Sequence, residues 1–274
     1  MKKSEISNKL ELEIRQEFSR RLRNFIGQKK WIEDAIGGIV QHDPNLYNYF
    51  VRVKEISSVL TKINGKISDE KRRIATEELD LSQARWTNAK SFSSFEALID
   101  DWVGCRVISY LHDTIVSLHQ EIISHDRFNI IRVTIHDSYE NPRFSDMDIQ
   151  EDRDERRLNH NGYVGIHYII EPRPVDPCWS RDPKLFHKFE LQVRTLLQEA
   201  WGQIQHAVIY KGRMPEYIKQ ERSDAFSGLA GFLSQCDAEL ARLAKDPDIK
   251  KLAKPKRVIV RRQQYLKLGK PRNA

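Results

Sequence analysis

Three polar residues with chemically useful side chains alternate with apolar residues in the segment 189–195. The period of two predicts a β-strand with one buried face, which places Glu190, Gln192 and Arg194 in a row on the other face. A carboxylate, an amide and a guanidinium fixed on a rigid strand can hold a metal ion and a substrate that carries phosphate. The alternative is an exposed strand face whose charges only keep the protein in solution.

Two lysines and a serine share a second pattern. Lys54, Ser58 and Lys62 are spaced i, i+4 and i+8, so a helix running from Pro44 to Gly65 would place them on one face. Two ammonium groups beside a hydroxyl form a suitable cradle for a polyphosphate. An ordinary solvated basic helix face is the competing interpretation.

A third group lies at the start of a predicted strand, where Asp101 precedes Gly104 and Arg106. A carboxylate there can bind Mg²⁺, which prefers oxygen ligands. The alternative role is a strand cap. Strict alternation puts Asp101 and Arg106 on opposite faces, so both can serve one site only if the chain bends, and Gly104 would permit a bend.

A fourth group contains an aromatic ring and an imidazole. Tyr163, Gly165 and His167 fall on one face of another predicted strand. An exposed ring can stack on a nucleobase, and Gly165 leaves room for a close approach. The alternative is a tyrosine and a histidine in a half-buried strand.

The elements that must position these groups suggest an α+β fold. We predict helices over the first ninety residues, then a mixed sheet of four to five strands with helices before, across and after it. Residues 137–161 are polar and are predicted to form a long loop. The predicted strands are 103–111, 128–135, 163–170 and 186–194, and the later helices are 113–123, 196–210 and 215–244.

These elements predict four units along the chain. They are an N-terminal helical extension over 1–42, a central domain over 43–213 that contains the four groups, a C-terminal helix over 214–247 and a basic tail over 248–274. The tail has ten lysine or arginine residues and no acidic residue from Ile249 onward. It is either a solvated terminus or an arm that holds RNA phosphates.

Composition limits the classes of protein. Three scattered cysteines fit reduced thiols better than a disulfide framework or a zinc site, and neither a secretory signal nor a membrane-spanning run is visible. We therefore expect a cytoplasmic protein without a membrane partner. A net charge of +7 favours anionic partners such as nucleotides or nucleic acid.

Together and in this order, the four groups resemble the RelA/SpoT-type nucleotidyltransferase domain of the alarmone synthetases. The resemblance extends from Arg52 to Lys211. It includes the patterns Arg-x-Lys-x-x-x-Ser-x-x-x-Lys, Asp-x-x-Gly-x-Arg, Gly-Tyr-x-x-x-His and Glu-x-Gln-x-Arg-Thr. The family implies transfer of the β,γ-pyrophosphate of ATP to the 3′-hydroxyl of a second nucleotide.

The resemblance also implies a role for each matching residue. Arg52 and Arg106 would sandwich the adenine, and Lys54, Ser58 and Lys62 would hold the phosphates of ATP. Asp101 and Glu190 would be the catalytic pair and would bind Mg²⁺, with Glu190 also orienting or deprotonating the attacking hydroxyl. The acceptor-binding residues would be Tyr163, His167, Gln192 and Arg194.

The chain departs from the family pattern only on the acceptor side. Gly165 replaces a serine, Val164 replaces a basic residue, and Glu199 replaces an asparagine that some members carry. GDP or GTP is the leading acceptor, which would make the product the alarmone (p)ppGpp. The 3′ end of tRNA is the main alternative, and an inactive RNA-binding module is a third. A second copy of the chain or an antitoxin remains an open partner.

Overall fold

The computed structural model describes residues 5–138, 144, 147, 154–159, 163–173, 187–210 and 216–245. These residues form one six-stranded sheet with the strand order β1-β2-β6-β5-β3-β4. The pairs β2/β6 and β3/β4 are parallel, and the other neighbours are antiparallel. The strands are β1 (Leu46–Val53), β2 (Val103–Ser109), β3 (Phe128–Ser138), β4 (Glu155–Asn159), β5 (Gly165–Pro172) and β6 (Phe189–Thr195).

Seven α-helices flank this sheet within the described residues. They are α1 (Asn8–His42), α2 (Ile56–Ala75), α3 (Arg85–Asn88), α4 (Phe92–Leu98), α5 (His112–Ser124), α6 (Leu196–Gln205) and α7 (Glu216–Ala244). The predicted mixed α+β fold is confirmed, with six strands instead of four to five. No helix of the described residues combines the length and the apolar character needed to cross a bilayer.

The helix predicted between Pro44 and Gly65 is wrong in its first half. Residues 46–53 form β1 instead, and α2 begins only at Ile56 and continues past Gly65 to Ala75. The segment is rich in aromatic and β-branched residues, which suit a strand, and it pairs with β2 along its length. Lys54 therefore lies before α2, so it does not share a helix face with Ser58 and Lys62.

The long loop predicted over 137–161 is also partly wrong. β3 continues to Ser138, and β4 lies within the predicted loop. Asp137 is fully buried and accepts a hydrogen bond from the backbone N–H of Phe144 at 2.7 Å. Arg156 donates to the backbone carbonyls of Phe144 and Met147, so it ties β4 to the same segment. The other residues between Ser138 and Asp154 lie outside the described residues.

The core lies between α1 and the apolar face of the sheet. Phe25 on α1 is fully buried and stacks on Trp102 with ring centroids 5.4 Å apart. Trp31, two turns further along the helix, makes edge contacts with the rings of Phe128 and Phe189. Because α1 covers one face of the sheet in this way, the polar side chains predicted above must collect on the other face.

A half-buried histidine beside this core, His187, predicts acid sensitivity. Burial lowers the pKa of His187 from 6.5 to about 4, and the charge of Arg21 adds to the effect. The unfolded chain then binds the proton more tightly, so the free energy of unfolding falls as the pH drops from about 6.5 towards 4. In His187→Gln, we expect the fall in the free energy of unfolding over this pH range to be smaller than in the wild type by on the order of 2 kcal/mol. Urea unfolding at several pH values measures this difference.

His206→Gln is the control, because His206 is exposed beyond the end of α6. A fall in acid sensitivity as large as that of His187→Gln would show that the effect is not specific to His187. The difference in the free energy of unfolding between the wild type and His187→Gln should change between pH 6.5 and pH 4.5. A difference that stays constant over this range would contradict the assignment.

Candidate active site

Two rows of side chains cross the polar face of the sheet. Because cross-strand partners on neighbouring strands point to the same face, the strand register fixes these rows. One row consists of Phe50, Arg106, Gln192 and His167, and the other consists of Arg52, Gly104, Glu190 and Ile169. Three of the four predicted groups thus meet on one face of four adjacent strands.

A cleft opens over the β1, β2 and β6 part of these rows. It is lined by Phe50, Arg52, Asp101, Gly104, Cys105, Arg106, Glu190 and Gln192. Asp101 reaches this cleft because β2 begins only at Val103, so the alternation of the strand does not apply to Asp101. The backbone N–H of Lys54 donates to the carbonyl of Trp102 at 2.9 Å, which holds the end of β1 beside Asp101.

Asp101 is paired with two lysines. Lys54 and Lys62 each donate to one of its carboxylate oxygens, the latter at 2.7 Å. Burial by itself raises the pKa of Asp101, but the positive charges of Lys62 and Lys54 outweigh this effect and lower the pKa below its usual value. The carboxylate is therefore ionised at neutral pH, and two cations stand next to it.

Glu190 is held by a chain of hydrogen bonds that leads towards β5. His167 Nδ1 lies 3.1 Å from one carboxylate oxygen, and Gln192 Nε2 donates to the other at 3.1 Å. Burial raises the pKa of Glu190, but the contacts with His167 and Gln192 lower it overall, while nearby Asp101 opposes them. On the far side of the imidazole, Tyr163 Oη lies 2.7 Å from His167 Nε2.

Arg106 and Arg194 are joined by Glu199, a residue that the sequence marked only as a departure from the family pattern. Arg106 Nη1 donates to both carboxylate oxygens of Glu199 at 2.8 and 3.1 Å, and Arg194 Nε lies 3.4 Å from one of them. Gln192 Oε1 accepts from both arginines. Burial lowers the pKa of Arg194 from its usual value, and the neighbouring negative charge of Glu199 opposes this effect.

The predicted site residues differ in how closely they meet. Arg52, Asp101, Arg106, Glu190 and Gln192 line the cleft directly. Lys54 and Lys62 contact the cleft residue Asp101. His167 contacts Glu190 and is itself in contact with Tyr163, while Arg194 contacts Gln192. Ser58 is exposed on the first turn of α2. Phe50 and Glu199 complete the site. Phe50 was missed because a helix was predicted there, and only the observed strand β1 places it on the same face as Arg52.

The two carboxylates in the cleft fit a magnesium ion. Among the described residues, no three His, Cys, Asp or Glu side chains converge in a preformed metal cage. Mg²⁺ seldom needs one, because it is usually bound by one or two carboxylates together with water and substrate phosphates. Asp101 and Glu190 line one cleft and supply hard oxygen donors, so the residues present fit this ion.

Gly165 allows Tyr163 to lie close to the sheet. A Cβ at this position would lie 3.0 Å from the backbone oxygen of Val193 and 3.4 Å from Tyr163 Oη. We expect Gly165→Ala to lower the free energy of unfolding by about 1 kcal/mol through overpacking, measured by urea denaturation. Gly104→Ala on β2 is the matched control, since its Cβ would meet nothing within 4 Å, and equal losses in both variants would contradict the steric explanation.

The fold of this chain is that of the small alarmone synthetases. Small alarmone synthetase 1 from Bacillus subtilis matches with a TM-score of 0.53 and 18% identity, over 86% of this chain and 99% of that one. Small alarmone synthetase 2 from the same organism matches with a TM-score of 0.54 and 17% identity, over 86% and 100%. A GTP pyrophosphokinase family protein from Streptococcus pneumoniae matches with a TM-score of 0.53 and 20% identity, over 86% and 96%.

A family model places the chain more specifically. The model for the region found in RelA/SpoT proteins matches residues 51–215, which include every predicted site residue. The chain belongs to the RelA/SpoT family. No curated protein matches the sequence significantly.

Proposed function

We propose that the protein is an ATP-dependent pyrophosphokinase that transfers the β,γ-pyrophosphate of ATP to the 3′-hydroxyl of GDP or GTP and releases AMP. The observation that carries this proposal is the cleft that Asp101 and Glu190 both line, with Lys54 and Lys62 paired to Asp101. Membership of the RelA/SpoT family supports the reaction class. A structure of small alarmone synthetase 1 from Bacillus subtilis is described as bound to its product pppGpp, which supports a guanine nucleotide as acceptor.

The donor would bind on the β1 and β2 side of the cleft. Lys54 and Lys62 are the cations nearest to Asp101, so they are placed to neutralise the triphosphate, with Ser58 as an additional hydroxyl donor. Arg52 and Arg106 would contact the adenosine. Transfer of a phosphoryl group depends mainly on positioning and charge stabilisation, and this set of donors provides both.

Asp101 and Glu190 would hold Mg²⁺ between them. The ion would neutralise negative charge on the phosphates that are being transferred. Glu190 also faces β5, where the acceptor would bind, and it is ionised at neutral pH because His167 and Gln192 hold the carboxylate form. It can therefore orient the 3′-hydroxyl and accept its proton.

The acceptor would bind on the β6 and β5 side. Tyr163, His167, Gln192 and Arg194 surround Glu190 there, and Arg194 lies over the Tyr163 ring at 5.4 Å from its centroid. These groups provide an aromatic face, an imidazole and a guanidinium for a base, a ribose and phosphates.

A direct transfer assay tests the proposal. The purified protein is incubated with Mg²⁺ and γ-labelled ATP, and GDP, GTP or deacylated tRNA is offered in separate reactions. Label that appears in a guanine nucleotide, with AMP formed in equal amount, is the expected result. The absence of transfer to all three acceptors would favour an inactive RNA-binding module and overturn the proposal.

The 3′ end of tRNA is a second candidate acceptor, and the basic tail favours it. From Ile249 onward the chain carries ten cationic residues and no acidic residue, which suits contact with an RNA backbone. Label in tRNA would support this candidate. Removal of residues 249–274 should then weaken tRNA binding and reduce its salt dependence, whereas unchanged binding would exclude the tail as an RNA arm.

A further inference from the structure

An exposed phenylalanine lies in the otherwise polar cleft. Phe50 on β1 keeps 48% of its surface accessible, although it lines the same cleft as Arg52 and Glu190. It lies on the same strand face as Arg52, two residues earlier, and its cross-strand partner is Arg106. Among the described residues that line the cleft, the others are charged, polar or small, so none of them offers a large apolar surface against which this ring could pack.

Arg106, the cross-strand partner of Phe50, forms its hydrogen bonds on the side away from β1. Arg106 donates to Glu199 on α6 and to Gln192 on β6, and β6 lies beyond β2 as seen from β1. The guanidinium of Arg106 is therefore engaged away from the ring of Phe50. This leaves an uncovered aromatic surface beside Arg52 on the floor of the cleft.

The strand order identifies which ligand this ring would meet. Phe50 lies on β1, on the opposite side of Glu190 from His167 on β5. Lys54, which follows β1 directly, contacts Asp101 on this same side. A ligand whose phosphates contact Lys54 and Lys62 would therefore have the remainder of its structure near β1.

We propose that Phe50 stacks on the purine base of the nucleoside triphosphate donor opposite Arg52. It would take the face of the base that the family resemblance assigns to Arg106, because Arg106 is held by Glu199 and Gln192. This inference rests on the proposed function, because it assigns the donor to the β1 and β2 side. Stacking requires only a flat ring with an accessible face, and every nucleobase offers a matching face. The phosphates of the donor make no contact with this ring.

The test compares ATP with a ligand that has no base. We would measure the binding of Mg²⁺-ATP and of Mg²⁺-tripolyphosphate by calorimetry to the wild type, Phe50→Ala and Phe50→Trp. Phe50→Ala should weaken ATP binding about tenfold, which is the usual consequence of losing one stacked ring. It should leave tripolyphosphate binding unchanged, and Phe50→Trp should keep ATP binding near the wild-type value.

Tyr47→Ala is the matched control, because Tyr47 is an aromatic residue of the same strand with 40% of its surface exposed and packs against Tyr110. It should bind both ligands as the wild type does. The inference is overturned if Phe50→Ala binds ATP normally, loses affinity equally for both ligands, or weakens binding of GDP while sparing ATP. Failure of the wild type itself to bind ATP would instead overturn the proposed function, so the two failures are distinguishable.

Discussion

Glu190→Gln is expected to lower the rate of pyrophosphoryl transfer by about three orders of magnitude while ATP binding changes little. The amide keeps the size of the side chain and can still contact Gln192, but it cannot accept the proton of the attacking hydroxyl. The measurements are the initial rate with γ-labelled ATP and the acceptor that the direct transfer assay identifies, and the dissociation constant of ATP from calorimetry.

Glu171→Gln is the matched control, because Glu171 is an exposed carboxylate on β5 that accepts a hydrogen bond from the side chain of Asn129 at 3.1 Å and does not line the cleft. It should retain the wild-type rate. Full activity of Glu190→Gln would refute the role assigned to Glu190, and a parallel loss in Glu171→Gln would show that the effect is not specific to the cleft.

Phe25→Ala is expected to lower the free energy of unfolding by about 3–5 kcal/mol, which is the cost of removing a large buried ring. Phe25 is fully buried on α1, stacks on Trp102 and lies 5.0 Å from the ring of His187. Since typical domains are stable by only about 5–15 kcal/mol, the variant would be close to unfolding at room temperature. Urea denaturation followed by tryptophan fluorescence provides the measurement.

Leu12→Ala on the same helix provides the comparison, because 57% of the Leu12 surface is exposed. Its effect should stay within about 0.5 kcal/mol. A small effect for Phe25→Ala as well would mean that α1 contributes little to the core, contrary to the packing described here.

Much of the sheet could be predicted because its strands alternate clearly. β6 has apolar residues at every second position, and the same pattern places Glu190 and Gln192 on the polar face as predicted. β1 was missed because Tyr47 and Val51 also match a helical spacing, and only the pairing with β2 decides between the two periods. A single segment does not contain that information, since it depends on a partner about fifty residues later in the chain.

Most residues that line or adjoin the cleft were named from the sequence, but Phe50 and Glu199 were missed, as were most of the contacts between the side chains. The resemblance named Arg106 and Arg194, yet their link through Glu199 depends on how α6 returns to the sheet. Likewise, alternation suggested that Asp101 and Arg106 would need a bend at Gly104 to reach one site. The structure brings them together because β2 begins after Asp101, and the start of a strand is among the features that a pattern defines least well.

The pairing of Asp101 with Lys54 and Lys62 has a consequence for how any phosphate enters the cleft. The Asp101 carboxylate already pairs with both ammonium groups, so it competes with an incoming anion for them. Binding of the proposed donor would then exchange one anionic partner of the lysines for another, so neither lysine would have to lose its counter-charge at any stage. The return of the carboxylate to the lysines would in turn favour the departure of a spent nucleotide.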